Sequence, residues 1–265
     1  MNLDLNKLFT LIRNYIDNKF TNSIGTTNSS LRDEWIKSEL LNFKNGLKIL
    51  DAGAGEAKYK KYCSHLDYVA QDIAVYQGTG NKEGLQTGDR DYSNLDIISD
   101  IYNIPVEDKS FDIVLCTEVI EHIVDPVKVF SELNRILKND GILIITAPFN
   151  SLTHYAPFHY STGFSRYFYE FHLPLNGFQI LLLEPNGNYF EYLAQELRRI
   201  KSISQKYSNQ EISILGKIFI KAVLNLLKKS LATDSGSDEL LCYGYHVKCR
   251  KVKSIWSNYL LHIEK

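Results

Sequence analysis

The chain has 265 residues and a formal net charge of -1, enough length to bury a full core without disulfide or metal staples. That charge excludes the bulk electrostatic attraction on which nucleic-acid binding normally rests, so nucleic acid is disfavoured as a partner. The four cysteines form no C-x-x-C pair, and no run of about 18 uncharged apolar residues spans a membrane; with a start broken by charge every few residues, the expected location is cytoplasmic.

In chain order, residues 3 to 20 place Leu5, Leu8, Leu11, Ile12 and Ile16 at helical spacing. "NSSLRDEWIKSELLNF" then offers a Ser N-cap followed by Leu31, Trp35 and Leu40. Residues 1–45 therefore predict a helical cover. From Lys48 the pattern changes to short apolar runs, "LKILDA", "YVAQDI", "DIISDI", "FDIVLCT", "ILIITAP" and "FQILLLEP", separated by helical stretches. This alternation predicts a parallel sheet with helices on both faces. The clearest helix is "DPVKVFSELNRILKNDG": Asp125 caps it, Pro126 fits its first turn, Val127, Phe130, Leu133 and Leu137 make one stripe, and Gly141 ends it. Residues 188–236 read as a helical insert or lid, with helices over 188–203 and 211–231, and residues 237–265 as a last strand and tail. The core is thus 46–187.

In "LKILDAGAGEAKYKKY", Gly53 and Gly55 are expected in the turn from the first strand into the first helix, where ligands collect in an open α/β sheet. Asp72 closes the second strand 21 positions after Asp51, near the roughly 20-residue spacing at which a carboxylate accepts from ribose hydroxyls. A dinucleotide fingerprint requires a third glycine, and that position is Lys58; no G-K-[ST] pair makes a Walker loop. An adenosine ligand other than a dinucleotide fits best, with a nicotinamide oxidoreductase as the alternative.

"ILDAGAGEA", "QDI" and "SDIYNIPVEDKSFDIVLCTEVIEHIVDPVKVFSELNRILKNDGILIITAP" together resemble the core of class I S-adenosylmethionine (SAM)-dependent methyltransferases, close to the methyltransferase type 11 group, over about Lys48 to Pro148. The departures are Ala57, where a third alternate glycine often stands, and Asn139-Asp140-Gly141 in place of Pro-Gly-Gly. The resemblance implies a Rossmann-like, seven-stranded, mostly parallel sheet and SAM as the cofactor. Asp51, Gly53 and Gly55 would bound its methionine moiety, Asp72 its ribose, Asp100 its adenine amino group and Ile101 its ring, with Cys116 and Thr117 beside the methionine end. The alternative for Asp100 is a helix N-cap.

The resemblance does not identify the acceptor. Within "EVIEH", Glu118, Glu121 and His122 are spaced to share a helical face. In some relatives, including small-RNA 3′-end and ubiquinone-pathway O-methyltransferases, a similar cluster binds a divalent metal, for which His159 would be a fourth ligand. The same string also occurs in type 11 enzymes without metal, as a loop over the cofactor, and no metal is assigned on sequence. Nine aromatics lie between Phe149 and Phe171, and Asn150–Tyr160 is the expected acceptor-site lining. His154 and His159, then His122, are the candidate bases. An Asn-Pro-Pro-Tyr-like motif typical of nucleobase-amine enzymes is absent, so the expected acceptor is an oxygen on a small molecule or glycan. A catalytically silent SAM-binding module remains a further alternative. Between Phe190 and Gly236, eight Lys and Arg stand against four acids, and the helix over 211–231 presents an apolar face and a lysine face. This fits a lid or dimer helix, or peripheral membrane contact.

Overall fold

The computed structural model describes residues 24–252. The helix expected over 3–20 and the tail beyond 252 lie outside them. Two units are seen among the described residues, one comprising 31–186 with 244–252 and the other 24–30 with 187–243.

The larger unit is built on a seven-stranded sheet in the order β3-β2-β1-β4-β5-β7-β6. Its strands are β1 (Lys48–Ala52), β2 (Asp67–Asp72), β3 (Ile97–Ile98), β4 (Phe111–Thr117), β5 (Leu137–Pro148), β6 (Phe178–Asn186) and β7 (Gly244–Lys251). The pairs β1–β2, β1–β4, β2–β3 and β4–β5 are parallel. β7 runs antiparallel to both β5 and β6. Central strands covered on both faces must be apolar throughout, and Ile113, Val114, Leu115 and Cys116 of β4 are all buried. The expected α/β Rossmann-like architecture is therefore the observed one.

Helix α1 (Asn28–Leu41) lays Ile36 and Leu40 on one face of the sheet, where they join Ile49, Tyr59, Cys63, Ile113, Leu115 and Ile144. It begins at Asn28, so Ser29 and Ser30 lie inside its first turn and are not caps; Leu31 is exposed and Trp35 only partly buried. Helix α2 (Pro126–Ile136) is capped as expected, the Asp125 side chain accepting from the Lys128 N–H. Its buried stripe is Val129, Phe130, Leu133 and Ile136, not one through Val127.

The helix ends earlier than the glycine at 141 suggested. Leu137 is already extended and pairs with Phe111, Asp140 takes a left-handed φ of 61°, and the register shifts before Ile113 meets Ile142. Gly141 thus serves a bulge in β5 and not a helix terminus. Helix α3 (Arg166–Leu175) follows the aromatic loop, and Phe168 meets Phe130 of α2 at a ring-centroid distance of 5.9 Å.

In the smaller unit, α4 (Tyr189–Ser208) and α5 (Ile214–Leu231) are capped by the Asn188 and Ser213 side chains. Ile24, Ala194, Leu224 and Leu227 form its core. Glu191 ties the start of this unit to its end, its carboxylate accepting from the Gly25 N–H at 2.7 Å and the Tyr243 hydroxyl at 2.9 Å. The opposite side of α5 leaves Ile214, Leu215, Phe219 and Leu226 exposed. Among the described residues no helix is long and apolar enough to cross a membrane.

Candidate active site

The carboxyl ends of β1, β2, β4 and β5 carry the sequence-predicted residues. Leaving β1, the chain turns at Gly53 (φ 76°) and Gly55 (φ 54°), backbone angles that L side chains rarely adopt, and leads not into the expected helix but into a single 3₁₀ turn at Lys60–Tyr62 before β2. A Cβ on Gly53 would come within 2.4 Å of Val119, whereas one on Gly55 would meet nothing nearer than the Arg90 guanidinium at 3.8 Å. Space above the turn is therefore open at Gly55.

Asp72 braces this turn: its carboxylate accepts from the Gly55 N–H at 2.9 Å and from the Ala74 N–H at 2.8 Å. Asp51, at the end of β1, is 1 % exposed, and its carboxylate accepts from the Tyr68 hydroxyl at 2.6 Å. Burial, with the Asp72 charge adding to it, pushes its carboxyl up to about 7. A carboxylate buried this way is complementary to an ammonium group.

Asp100 follows β3 and accepts from the Tyr102 N–H at 2.9 Å in a turn. No helix starts there, so it is not a helix N-cap. Ile101 beside it is buried. At the end of β4, Cys116 is fully buried and burial raises its thiol pKa, while Thr117 is half-buried.

The segment after β4 departs from the expected helical face. Glu118 has a φ of 54°, and the following residues Ile120–His122 form a single 3₁₀ turn. The Glu118 carboxylate is taken by Arg32 at 2.6 Å and by the Thr146 hydroxyl at 3.0 Å. Glu121 is fully buried with neither carboxylate oxygen hydrogen-bonded. Burial and the Glu118 charge raise its pKa well above the ordinary carboxylate value. His122 points its Nδ1 at the Phe158 carbonyl, 2.6 Å away.

The loop after β5 brings the other two histidines to this point. His154 sets its Nδ1 2.9 Å from the Leu152 carbonyl, and the His122–His154 and His154–His159 ring centroids are 4.6 and 4.8 Å apart. All three candidate bases thus form one cluster. Burial drives the His122 imidazole down to about 3, helped by His154, and lowers His159 for the same reasons. His159 has no hydrogen-bond partner on either buried ring nitrogen.

Sequence reasoning missed two features. Arg90 reaches both Glu56, at 3.2 Å beside the glycine turn, and the Tyr155 hydroxyl in the histidine loop. Residues 78–88 also pair with that loop, Leu85 bridging His154 and the Asn81 N–H donating to the Ala156 carbonyl at 3.1 Å. The available signal was the glycine density: Cβ atoms at Gly80 and Gly84 would lie 1.9 and 2.5 Å from the carbonyl oxygens of Ala156 and Thr153.

The order and directions of the strands are those of the class I methyltransferase fold. Residues 50–145 match the family model described as "Methyltransferase domain". Among curated relatives, the chain is 33% identical over 104 residues to YxjB of Bacillus subtilis strain 168, described as a candidate 23S rRNA (guanine-N(1)-)-methyltransferase, covering 38% of this chain and 33% of that one. It is 26% identical over 108 residues to the ubiquinone biosynthesis O-methyltransferase of Actinobacillus pleuropneumoniae serotype 7, covering 38% and 45%. The match spans less than half the length of these relatives. Two solved structures share the fold: a candidate sarcosine dimethylglycine methyltransferase of Galdieria sulphuraria (TM-score 0.51, 20% identity, 85% of each chain) and the cyclase SpnF (TM-score 0.53, 14% identity, 94% of each chain).

Proposed function

We propose that the chain transfers a methyl group from SAM to an oxygen of a small-molecule or glycan acceptor. One observation carries the reading: the open glycine turn, the buried Asp51 and the ribose-spaced Asp72 lie at the same sheet edge as the histidine loop. SAM supplies an electrophilic methyl on a sulfonium. Asp51 would hold the donor's ammonium, Asp72 its ribose hydroxyls, Asp100 and Ile101 its adenine, and Thr117 and the Cys116 backbone the wall beside the methionine end.

For the acceptor, Asn150–Tyr160 supplies the walls, which align it and exclude water. His159, neutral near pH 7 with unpaired ring nitrogens, is suited to take the hydroxyl proton, with His154 next to it. His122 is less suited, because an imidazole lowered to about 3 is a weak proton acceptor. The likeness to YxjB would instead suggest ribosomal RNA, but the near-zero net charge argues against a nucleic-acid acceptor. The pairing of Glu118 with Arg32 weakens the case for a metal held by Glu118, Glu121 and His122.

Titration of the purified protein with S-adenosylhomocysteine and with NADH, followed by incubation with labelled SAM and fractionated cell extract, tests the reading. Homocysteine-nucleoside binding with label on an oxygen is expected. NADH binding would replace the reading by an oxidoreductase, and binding without transfer to any fraction would replace it by a silent module.

The exposed Leu215, Phe219 and Leu226 with nearby Lys217 and Lys228 support peripheral contact with an anionic membrane surface. Co-flotation with anionic vesicles tests this; self-association through the same face would favour a homodimer instead.

A further inference from the structure

Glu121 presents a buried, hydrogen-bond-free carboxylate to two imidazoles. Its Oε1 lies 3.6 Å from the Nε2 of His122 and 4.0 Å from the Nε2 of His154. Both separations are too long for a hydrogen bond, so no shared proton joins the groups. At the same time, the Phe158 and Leu152 carbonyls accept from the Nδ1–H of His122 and His154. A carbonyl cannot donate, so each Nδ1 keeps its proton and each Nε2 carries a lone pair. The Glu121 oxygens and the His122 Nε2, none of them with a hydrogen-bond partner, therefore face one another in a buried space.

One ring nitrogen from each of His122, His154 and His159 lies within 4.8 Å of the others. The edges of a tetrahedron with metal–ligand bonds of about 2.1 Å are about 3.4 Å long, so modest side-chain adjustment closes the set. Carbonyls fixing the imidazole tautomer from behind are the usual support of a metal-ligating histidine.

We infer that His122, His154 and His159, with the Glu121 carboxylate, bind one divalent transition-metal ion of the zinc class. The donor set differs from the Glu118, Glu121 and His122 cluster that binds metal in some relatives, because Arg32 and Thr146 occupy Glu118 and His154 takes its place. Three imidazoles and one carboxylate favour zinc-like ions over magnesium, which prefers oxygen ligands and retains water. The ion ties the turn after β4 to the loop after β5. Its use in orienting an acceptor oxygen rests on the proposed methyl transfer, whereas its binding does not; with the ion bound, His154 and His159 are ligands and no longer the proton acceptors proposed for the ion-free chain.

The test is a titration of the full chain, stripped with chelator, with Co²⁺ followed by its visible d–d absorption and with Zn²⁺ by competition. One equivalent of tight binding with the intense band of a four-coordinate ion is expected. His154→Ala and His159→Ala should each weaken it by about 10- to 100-fold, and Glu118→Gln should leave it within about threefold of the parent. S-adenosylhomocysteine binding measured on each variant reports whether the sheet is intact. If a variant fails that control, His154→Gln and His159→Gln are used instead. Absence of saturable Co²⁺ binding by the parent chain, or binding indifferent to His154 and His159, overturns the inference. So does binding lost in Glu118→Gln but retained in the histidine variants. Labelled methyl transfer, measured separately, reports on the proposed function, so either idea can fail alone.

Discussion

Asp51 and Asp72 are adjacent carboxylates held in opposite circumstances, one buried against a phenol and one hydrogen-bonded to backbone N–H groups. In the ligand-free protein the folded-state pKa of Asp51, about 7, lies above its ordinary value. The folded chain then binds a proton that the unfolded chain has released, so Asp51 makes stability fall as pH rises from about 4 through 7. Besides Tyr68, the titratable groups facing Asp51 are Asp72, Cys63 and Cys116. Asp51→Asn should therefore melt higher than the parent by a margin that grows by about 4 °C or more between pH 5 and pH 8; a margin independent of pH would refute the buried-carboxyl account. Asp72→Ala should weaken S-adenosylhomocysteine binding by about 1–3 kcal/mol in calorimetry, through lost charged hydrogen bonds. Unchanged affinity would remove the ribose assignment. These two residues were legible in the sequence because Asp51 precedes the alternate glycines at a strand end and Asp72 closes the next strand 21 positions later. Arg90 was not, since its partners Glu56 and Tyr155 are 34 and 65 positions away and leave no local pattern.

Among the elements, β4 and the start of α2 were read to the residue, because a fully apolar run and an Asp-Pro cap are unambiguous. The end of α2 was not. Glycine after a helical stripe reads the same whether it terminates a helix or relieves a bulge, and only the pairing of Leu137 with Phe111 decides. Likewise "EVIEH" has helical spacing over too few residues to force a helix, and the Arg32 ion pair draws Glu118 elsewhere. Helix α2 also carries a network in which the Glu132 carboxylate accepts from the Ile104 N–H and the Arg135 guanidinium, both at 2.7 Å. Glu132 is buried, so Arg135→Leu strands a carboxylate and should cost about 2–4 kcal/mol in urea unfolding. A loss below about 1 kcal/mol would show that the network is solvated.

For the whole molecule, ligand binding and fold stability are coupled by mass action. S-adenosylhomocysteine at 100 times its Kd should stabilise the larger unit by about 2.7 kcal/mol, raising its melting temperature, whereas NADH at the same concentration should leave it unchanged. A parallel sheet with a late strand returning to it was readable from the alternation of elements. The strand order and the antiparallel direction of β7 were not, because a single strand near the end of a chain carries no directional mark. The pairing of residues 78–88 with the histidine loop left no periodic signal, only the density of glycines at 78, 80, 84 and 88.

Asn186 and Gly244, where the chain leaves β6 and rejoins the sheet in β7, are register partners. Such opposed positions in an antiparallel pair lie about 5 Å apart, so the whole of 187–243 hangs from what would otherwise be a plain hairpin mouth. An insert joined to the sheet at such a point can change in length while the two strands stay paired. A chain in which a two-residue Asn-Gly turn replaces 187–243 should retain S-adenosylhomocysteine binding while losing the vesicle co-flotation proposed for α5.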